Sequence, residues 1–531
     1  MKLKNIKLDY IYFSYILLGI MFLINIVYFA VNGDSLLDSD MSTEMVYSAL
    51  LNKTGGVIND NWYFSTELYI FYSYFIMRAG LFLFPANWHL ARLFTIIISM
   101  IILCLVTFFI MNMLGYRRVW AYAAAMVICP ISAYYYYLVL LGDFYIFNIS
   151  ISVITVAMLF VVLKSDKLHI RILLTALAGG ISFLISLSGV KELLIAYVPF
   201  FIACVFNYIL KDFFKLKDKE DDVSKLPAEI WALIYSGVCV AAGGLGMELC
   251  YNVLSRKYAF VNYTGDKWSE FSISNMLVTF GDFLSIFGWN NNVEITSLKG
   301  IMNVLSIAFS LLILVFAVVF TCKIKKLALN ERIFVLFFDT AWLFQFFVYS
   351  QNERHNQYFW TQIMPYSLIL FFIGAYHFID RLKPLNKYLM YICLCGYLIV
   401  MSRETLIINP KMDINGGMYY CGNMLEAVDY IKENGLENGF ATFWNSGVVT
   451  ELTDGKTEMW TVGVADFNTI YPWLQKKEHS SVFPEGEVFA LLDIYDYNAG
   501  CLDADDKIVY SDGDYYIYLF DDMEDFRNAV Q

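Results

Sequence analysis

Charged residues are scarce in this sequence. Asp, Glu, Lys and Arg make up 16% of its 531 residues, against about 25% in a typical soluble domain. Basic residues are the scarcer sign: 37 Lys and Arg face 49 Asp and Glu, for a net charge of −12. No basic stripe is present, and binding a phosphate backbone needs one, so nothing argues for nucleic acid as a partner. The 10 Cys include no CxxC pair and no Cys/His cluster with zinc spacing. Cys104, Cys129, Cys204 and Cys239 fall inside apolar runs, where a thiol serves as a small hydrophobe. The cytoplasmic loops carry no Gly-rich nucleotide motif, and no short internal repeat recurs. The apolar run after Lys2, Lys4 and Lys7 lacks the small-residue cleavage site of a signal peptide.

What the chain has in abundance is long apolar runs. Hydrophobic residues reach 59% and aromatics 18%. Read by hydropathy, spans of membrane length fall at 10–31, 89–114, 119–139, 144–163, 172–188, 191–210, 228–249, 300–320, 332–350, 358–378 and 388–407. The basic loops are Tyr116 to Arg118, Lys164 to Arg171, Lys211 to Lys225, Cys322 to Lys326 and Arg381 to Lys387. The positive-inside rule puts all of them in the cytoplasm. This holds only if Glu67 to Phe84 lies along the outer surface as a juxtamembrane helix instead of crossing. The expected architecture is a polytopic α-helical membrane protein of the plasma membrane, with about eleven helices within residues 1–408. The N-terminus is then cytoplasmic, and the loop 32–88 and residues 409–531 lie outside.

Residues 409–531 read as a small extracytoplasmic α/β domain. Met424 to Asn434 has helical periodicity and stops at Gly435. Phe440 to Phe443 and Val448 to Leu452 fit two short strands or a strand and a helix. Val488 to Ile494, Lys507 to Tyr510 and Tyr515 to Phe520 are rich in β-formers, with a hairpin signal at Asp512-Gly513. Cys421 and Cys501 both lie here, and sequence leaves their pairing open.

Candidate chemistry gathers on the loops assigned to the outer face. If the chain turns helical after Asp38, Asp40 and Glu44 are i and i+4 on one face. Two such acids suit a general base, Asp38-x-Asp40 suits a divalent cation, and a plain helix cap at Asp38 or Ser39 suits neither. Asn59 to Glu67, with Trp62 at its centre, mixes rings and polar groups as sugar-binding surfaces do, or as an interfacial aromatic belt does. Asp143 sits in the turn between the third and fourth spans. Lys191 and Glu192 open the sixth span, and Arg354, His355 and Tyr358 precede Pro365. Ionisable groups at helix ends facing a cavity tend to be functional.

Together these features resemble the GT-C superfamily, multi-spanning glycosyltransferases that use polyprenyl-phosphate sugars. The likeness rests on the acid-bearing first outer loop, Asp143 at the third-to-fourth turn, and the Arg–aromatic–Pro segment around Arg354. Asp38-Ser39-Asp40…Glu44 with Trp62 to Glu67 is similar, more closely, to a group of Gram-positive multi-spanning membrane proteins. The resemblance implies a GT-C-like bundle and a hexosyl- or pentosyltransferase. Asp40 would be the catalytic base, Asp143 a second acid near donor or acceptor, and Arg354 the partner of the lipid phosphate. Asp38, Trp62, Glu67, Lys191, Glu192, His355 and Tyr358 would line the substrate path. The partners implied are a polyprenyl-phosphate-linked sugar and a cell-envelope glycan, lipid or protein acceptor. No cofactor is implied beyond the divalent cation that the acids would suit. Many members carry adjacent Asp-Glu three residues before a Tyr. Here Tyr47 follows Thr43-Glu44, which leaves the base open between Asp40 and Glu44. The rival functions are a lipid or polysaccharide flippase or transporter, for which Gly243-Gly244-Leu245-Gly246 offers one flexible patch, and a non-catalytic scaffold.

Overall fold

The structure is a computed structural model that describes residues 10–65, 68, 70, 72–142, 145–215, 226–260, 268–290, 293–352, 357–407, 424–464 and 467–530. The chain forms two compact units. One holds residues 1–26, 99–250 and 266–408, the other residues 27–98, 251–265 and 409–531. The second unit thus draws on the first loop and a later loop as well as on the C-terminal residues.

Among the described residues, nine helices are long and apolar enough to cross a membrane, and the chain is a multi-pass membrane protein. Two expected spans differ. The stretch 119–139 is not one helix: Trp120–Val127 ends before Pro130, and a π-helical segment occupies Tyr136–Leu141. Proline lacks the N–H and crowds the preceding turn, so the helix stops there. The polar groups near the break find other partners. The Tyr135 hydroxyl donates to the Val127 carbonyl at 2.5 Å, and Ser132 donates to the Ile286 carbonyl at 2.6 Å. The stretch 358–378 is a 3-10 turn at Gln357–Trp360 followed by a helix of only 16 residues, Met364–Ile379.

The membrane unit packs through small residues and interior hydrogen bonds, as helices in lipid do. The four-residue glycine patch lies inside the unbroken helix Ala228–Asn252. A Cβ on Gly246 would stand 2.3 Å from the Phe183 carbonyl oxygen, so this glycine permits close helix approach instead of a bend. Ser152 and Tyr366 share a 2.5 Å hydrogen bond, and Tyr235 donates to the Thr155 carbonyl at 2.7 Å. Cys104, Cys129, Cys204 and Cys239 are buried, as apolar placement requires.

In the second unit, helix α1 (Ser39–Thr54) is followed by strand β1 (Tyr63–Phe64) and helix α2 (Tyr74–Leu83). With 10 residues, α2 reaches about 15 Å, half a bilayer core. Helix α3 (Trp88–Met113) begins in this unit. Strand β2 (Ala259–Phe260) pairs parallel to β1.

The C-terminal residues add helix α4 (Leu425–Glu433), β3 (Asn438–Thr442), helix α5 (Phe443–Leu452), β4 (Glu458–Val462), β5 (Val488–Asp493), β6 (Ile508–Ser511) and β7 (Tyr515–Phe520). The sheet order is β4-β3-β5-β7-β6, parallel from β4 through β5 and antiparallel beyond. Phe440, Trp460, Ala490, Tyr518 and Phe526 are among its core. Helix α4 ends where Gly435 takes φ +65°, a left-handed cap that glycine adopts without steric cost. Val448 to Leu452 proves helical, while the strand Glu458–Val462 carried no expectation. Cys421 lies outside the described residues, and Cys501 is a half-buried thiol.

One buried ion pair ties the second unit together. Arg92 on α3 donates from Nε and Nη2 to both oxygens of Glu451 on α5, at 2.6 and 2.7 Å. Nη2 also reaches the Met41 carbonyl of α1 at 2.9 Å. Both side chains are within 3% of full burial. Removing one partner strands the other charge out of water. Arg92→Ala should therefore cost about 3–5 kcal/mol, while Arg92→Met with Glu451→Met should recover most of it. Thermal denaturation midpoints in lipid nanodiscs decide this. A double variant no more stable than the single one would show that packing, and not charge, sets the cost.

Asp496 gives a pH test. It is buried beside Asp493 and accepts the Thr442 hydroxyl at 2.8 Å. Burial, then the Asp493 charge, pushes its carboxyl up to about 7. A raised carboxyl supports the fold below its unfolded range near 4 and loses that support as pH climbs through 7. Asp496→Asn should match wild type near pH 4 and surpass it at pH 8. A difference in midpoint that stays flat across that interval would refute the assignment.

Candidate functional site

The first loop turns helical where the sequence says it should. Asp38 sits in extended backbone before α1, and its carboxylate accepts the Met41 N–H at 2.9 Å. It is an N-cap. Asp40 occupies the first turn, where the helix dipole favours an anion. Glu44 follows one turn later and is buried, accepting the Ser73 hydroxyl of the α2 entry at 3.1 Å. The three acids thus have unequal surroundings. Asp38 and Glu44 are enclosed and hold local structure, whereas Asp40 is the partly open carboxylate.

Trp62 lies in an aromatic cluster. Its ring centroid is 5.1 Å from Tyr47, which in turn meets Phe64 and Tyr74 edge-on. Its indole N–H is buried and has no acceptor among the described residues. Glu67 lies outside the described residues, as do Asp143, Arg354 and His355.

In the membrane unit, Lys191 places its ammonium 4.0 Å above the Tyr145 ring, a cation–π contact. Glu192 beside it is 4% exposed and lies in electrostatic range of Tyr197, Tyr349 and Tyr366. The π-helical segment Leu193–Tyr197 follows directly. The other π-helical segment, Tyr136–Leu141, precedes Asp143. Such segments are frequent at functional sites, and Lys191 and Glu192 directly precede one of them. Tyr358 stands 6.3 Å from Tyr134, ring to ring.

Sequence reasoning missed Tyr349, Trp342, Phe283, Gln345 and Gln362. Tyr349 is followed by Trp360 at 6.2 Å, Trp342 at 5.8 Å from it, and Phe283 at 5.7 Å from Trp342. The indole N–H groups of Trp342 and Trp360, the Gln345 amide and the Gln362 amide nitrogen are buried without partners among the described residues. Buried polar groups are normally satisfied, so each of these is suited to water or a polar ligand. The signal available was one of composition: Gln345 inside an apolar span and Gln362 beside Trp360. Among the described residues, no group of three or more His, Cys, Asp or Glu side chains is placed to hold a metal ion.

No family model matches the sequence, and no curated protein matches it. Solved structures do. The chain is similar to ArnT from Cupriavidus metallidurans in the apo state at 11% identity and a TM-score of 0.56, over 96% of this chain and 97% of that one. The same enzyme bound to undecaprenyl phosphate matches equally, over 96% and 98%. The Archaeoglobus fulgidus oligosaccharyltransferase tethered to an acceptor peptide aligns at 11% identity and a TM-score of 0.52, over 92% of this chain and 70% of that one. The fold is therefore a GT-C-like helical bundle with a strand-containing C-terminal domain.

The unequal surroundings of the acids predict unequal stability effects. Asp38→Ala should lower stability by about 1 kcal/mol through loss of the cap. Asp40→Asn gives up the dipole's favour for a first-turn anion and should cost about half as much. Denaturation midpoints of the two variants side by side provide the check, and a larger loss at Asp40 would make it a structural residue.

Proposed function

We propose that this chain is a GT-C glycosyltransferase that moves a sugar from a polyprenyl-phosphate carrier to an extracytoplasmic acceptor. The observation that carries the reading is the fold likeness over nearly the whole length of both chains to an enzyme solved with undecaprenyl phosphate bound. In this reading Asp40 takes the proton from an acceptor hydroxyl or amine. The acceptor attacks the anomeric carbon with inversion, the bond from that carbon to the phosphate oxygen breaks, and its electron pair leaves on the lipid phosphate. Arg354 offers the planar guanidinium fork that suits phosphate oxygens, and Lys191 adds a second cation. Glu44 is the alternative base. Its burial and its bond to Ser73 favour Asp40 for a group that must meet an acceptor. The hexosyl or pentosyl nature of the donor, the glycan, lipid or protein acceptor, a divalent cation near Asp38 and Asp40, and the closer likeness to Gram-positive membrane proteins belong to this reading as well.

The same reading sets the orientation, with the N-terminus in the cytoplasm and residues 409–531 outside. The basic loops support it. A reporter that functions only in the cytoplasm, fused after Gln531, should then be silent, and a strong signal would invert the topology.

Catalysis is tested on purified protein in nanodiscs with a polyprenyl-phosphate-linked sugar. Asp40→Asn should lower transfer by about 10²–10⁴-fold with expression intact. Unchanged turnover would remove Asp40 from the chemistry and move the test to Glu44→Gln. Binding of undecaprenyl phosphate should weaken in Arg354→Lys, which keeps the charge but loses the fork, and weaken further in Arg354→Ala. Equal affinity in wild type and alanine variant would exclude Arg354 as the phosphate partner.

A further inference from the structure

The first loop begins with a 3-10 turn, Gly33–Leu36, which leads directly to the Asp38 cap of α1. Gly33 and Leu36 are buried, whereas half of the Asp34 side chain is in water. Asp34 Oδ1 lies 2.7 Å from Nδ1 of His89, the second residue of α3. The imidazole also stacks on Phe29, with centroids 5.1 Å apart and planes 22° from parallel. A Cβ on Gly33 would fall 2.7 Å from the Phe29 ring and 3.0 Å from His89 Cε1. Only glycine lets the turn press this closely on both rings.

The start of α3 is held by other contacts. The Trp88 N–H donates to the Asp454 carboxylate at 2.8 Å, and the Leu90 N–H donates to the Asn87 side chain at 2.8 Å. Arg92 is bound to Glu451 one turn further on. His89 is therefore an arm that reaches from an anchored helix end to the turn. A cation in the first turn of a helix works against the helix dipole, so an imidazolium at this position depends on the carboxylate across from it.

The charges around His89 come from several elements. Asp34 on the turn and Glu451 on α5 favour the imidazolium, and Arg92 on α3 opposes it. Lys432 of α4 and Asp454 line the same cavity as His89 and Asp34. The Asp34 hydrogen bond, working against burial, raises His89 above its ordinary range near 6.5. A raised histidine supports the fold fully below about 6.5 and loses that support as pH climbs through its own higher value. The neutral ring can still donate from Nδ1 to Asp34. What disappears is the charge that makes the bond strong.

We propose that His89 and Asp34 form a pH-dependent clasp, which holds the turn Gly33–Leu36 to the start of α3 while His89 is protonated and loosens when the proton leaves. The clasp stands on the geometry of this unit and holds whether or not the chain transfers a sugar. It is tested by amide hydrogen exchange over residues 33–37 of the full chain in lipid nanodiscs. His89→Gln is compared with wild type at the same pH, which cancels the intrinsic chemistry of exchange. Exchange should be about two- to fivefold faster in the variant at pH 5.5 and equal in the two proteins at pH 9. A second measurement follows the imidazole nitrogens of His89 by NMR, assigned by the signal that His89→Gln removes. Their titration midpoint should lie above 6.5 in wild type and fall in Asp34→Asn. A variant-to-wild-type ratio that is the same at both pH values, or a midpoint unmoved by Asp34→Asn, would overturn the clasp.

Discussion

The second unit depends on a guanidinium that has been taken out of water. Arg92 would cost several kcal/mol where it sits if it were alone. Two oxygens of Glu451 and the carbonyl of Met41 make the position tenable. Because those partners come from α1 and α5, the same contact that satisfies the charge also fixes α1 against the sheet. Gly447 on α5 lets the helices close, since a Cβ there would stand 3.2 Å from Thr43 Cγ2. The setting of Asp40 on α1 is a consequence of this contact. A helix carrying acids in its first turn gains from its dipole, but nothing in that local gain decides where the acids point. The distant arginine does.

That division between local and distant causes explains what could be read from sequence. The spans such as Trp88–Met113 were legible because their apolar length has one physical use. The β7 strand Tyr515–Phe520 was legible for a similar reason, since β-formers next to Asp512-Gly513 leave little choice. The i, i+4 spacing of Asp40 and Glu44 followed from the cap at Asp38. Their unequal exposure did not, because Glu44 is enclosed by Ser73, 29 residues later. The break at Pro130 was hidden by hydropathy, which measures composition over a window and not whether every N–H has an acceptor. The hydrogen bonds that Gln475 and His479 make to Thr461 and Glu458 left almost no trace, because a loop's polar residues look alike until a strand such as β4 stands behind them.

The two units offer different kinds of polar environment. In the membrane unit the buried acid Glu192, the π-helical segments and the indoles without acceptors are set among apolar helices, where each unsatisfied group is costly. In the second unit the polar groups are largely answered by one another, and ionised pairs such as Lys476 with Glu458 neutralise locally.

The pairing of Arg92 with Glu451 spans 359 residues of chain. Strands β1 and β2, which pair parallel, also lie in loops that precede the C-terminal sheet. During synthesis, at about 5–20 residues per second, the arginine waits roughly 20–70 s for its carboxylate. Over that interval α1 has its own cap but no α5 to rest on, and Arg92 does not yet have Glu451. The membrane helices can insert one after another as they emerge. The second unit cannot assemble until residues 409–531 have been made, which makes the ribosome's progress, and not the stability of any single helix, the clock for its completion.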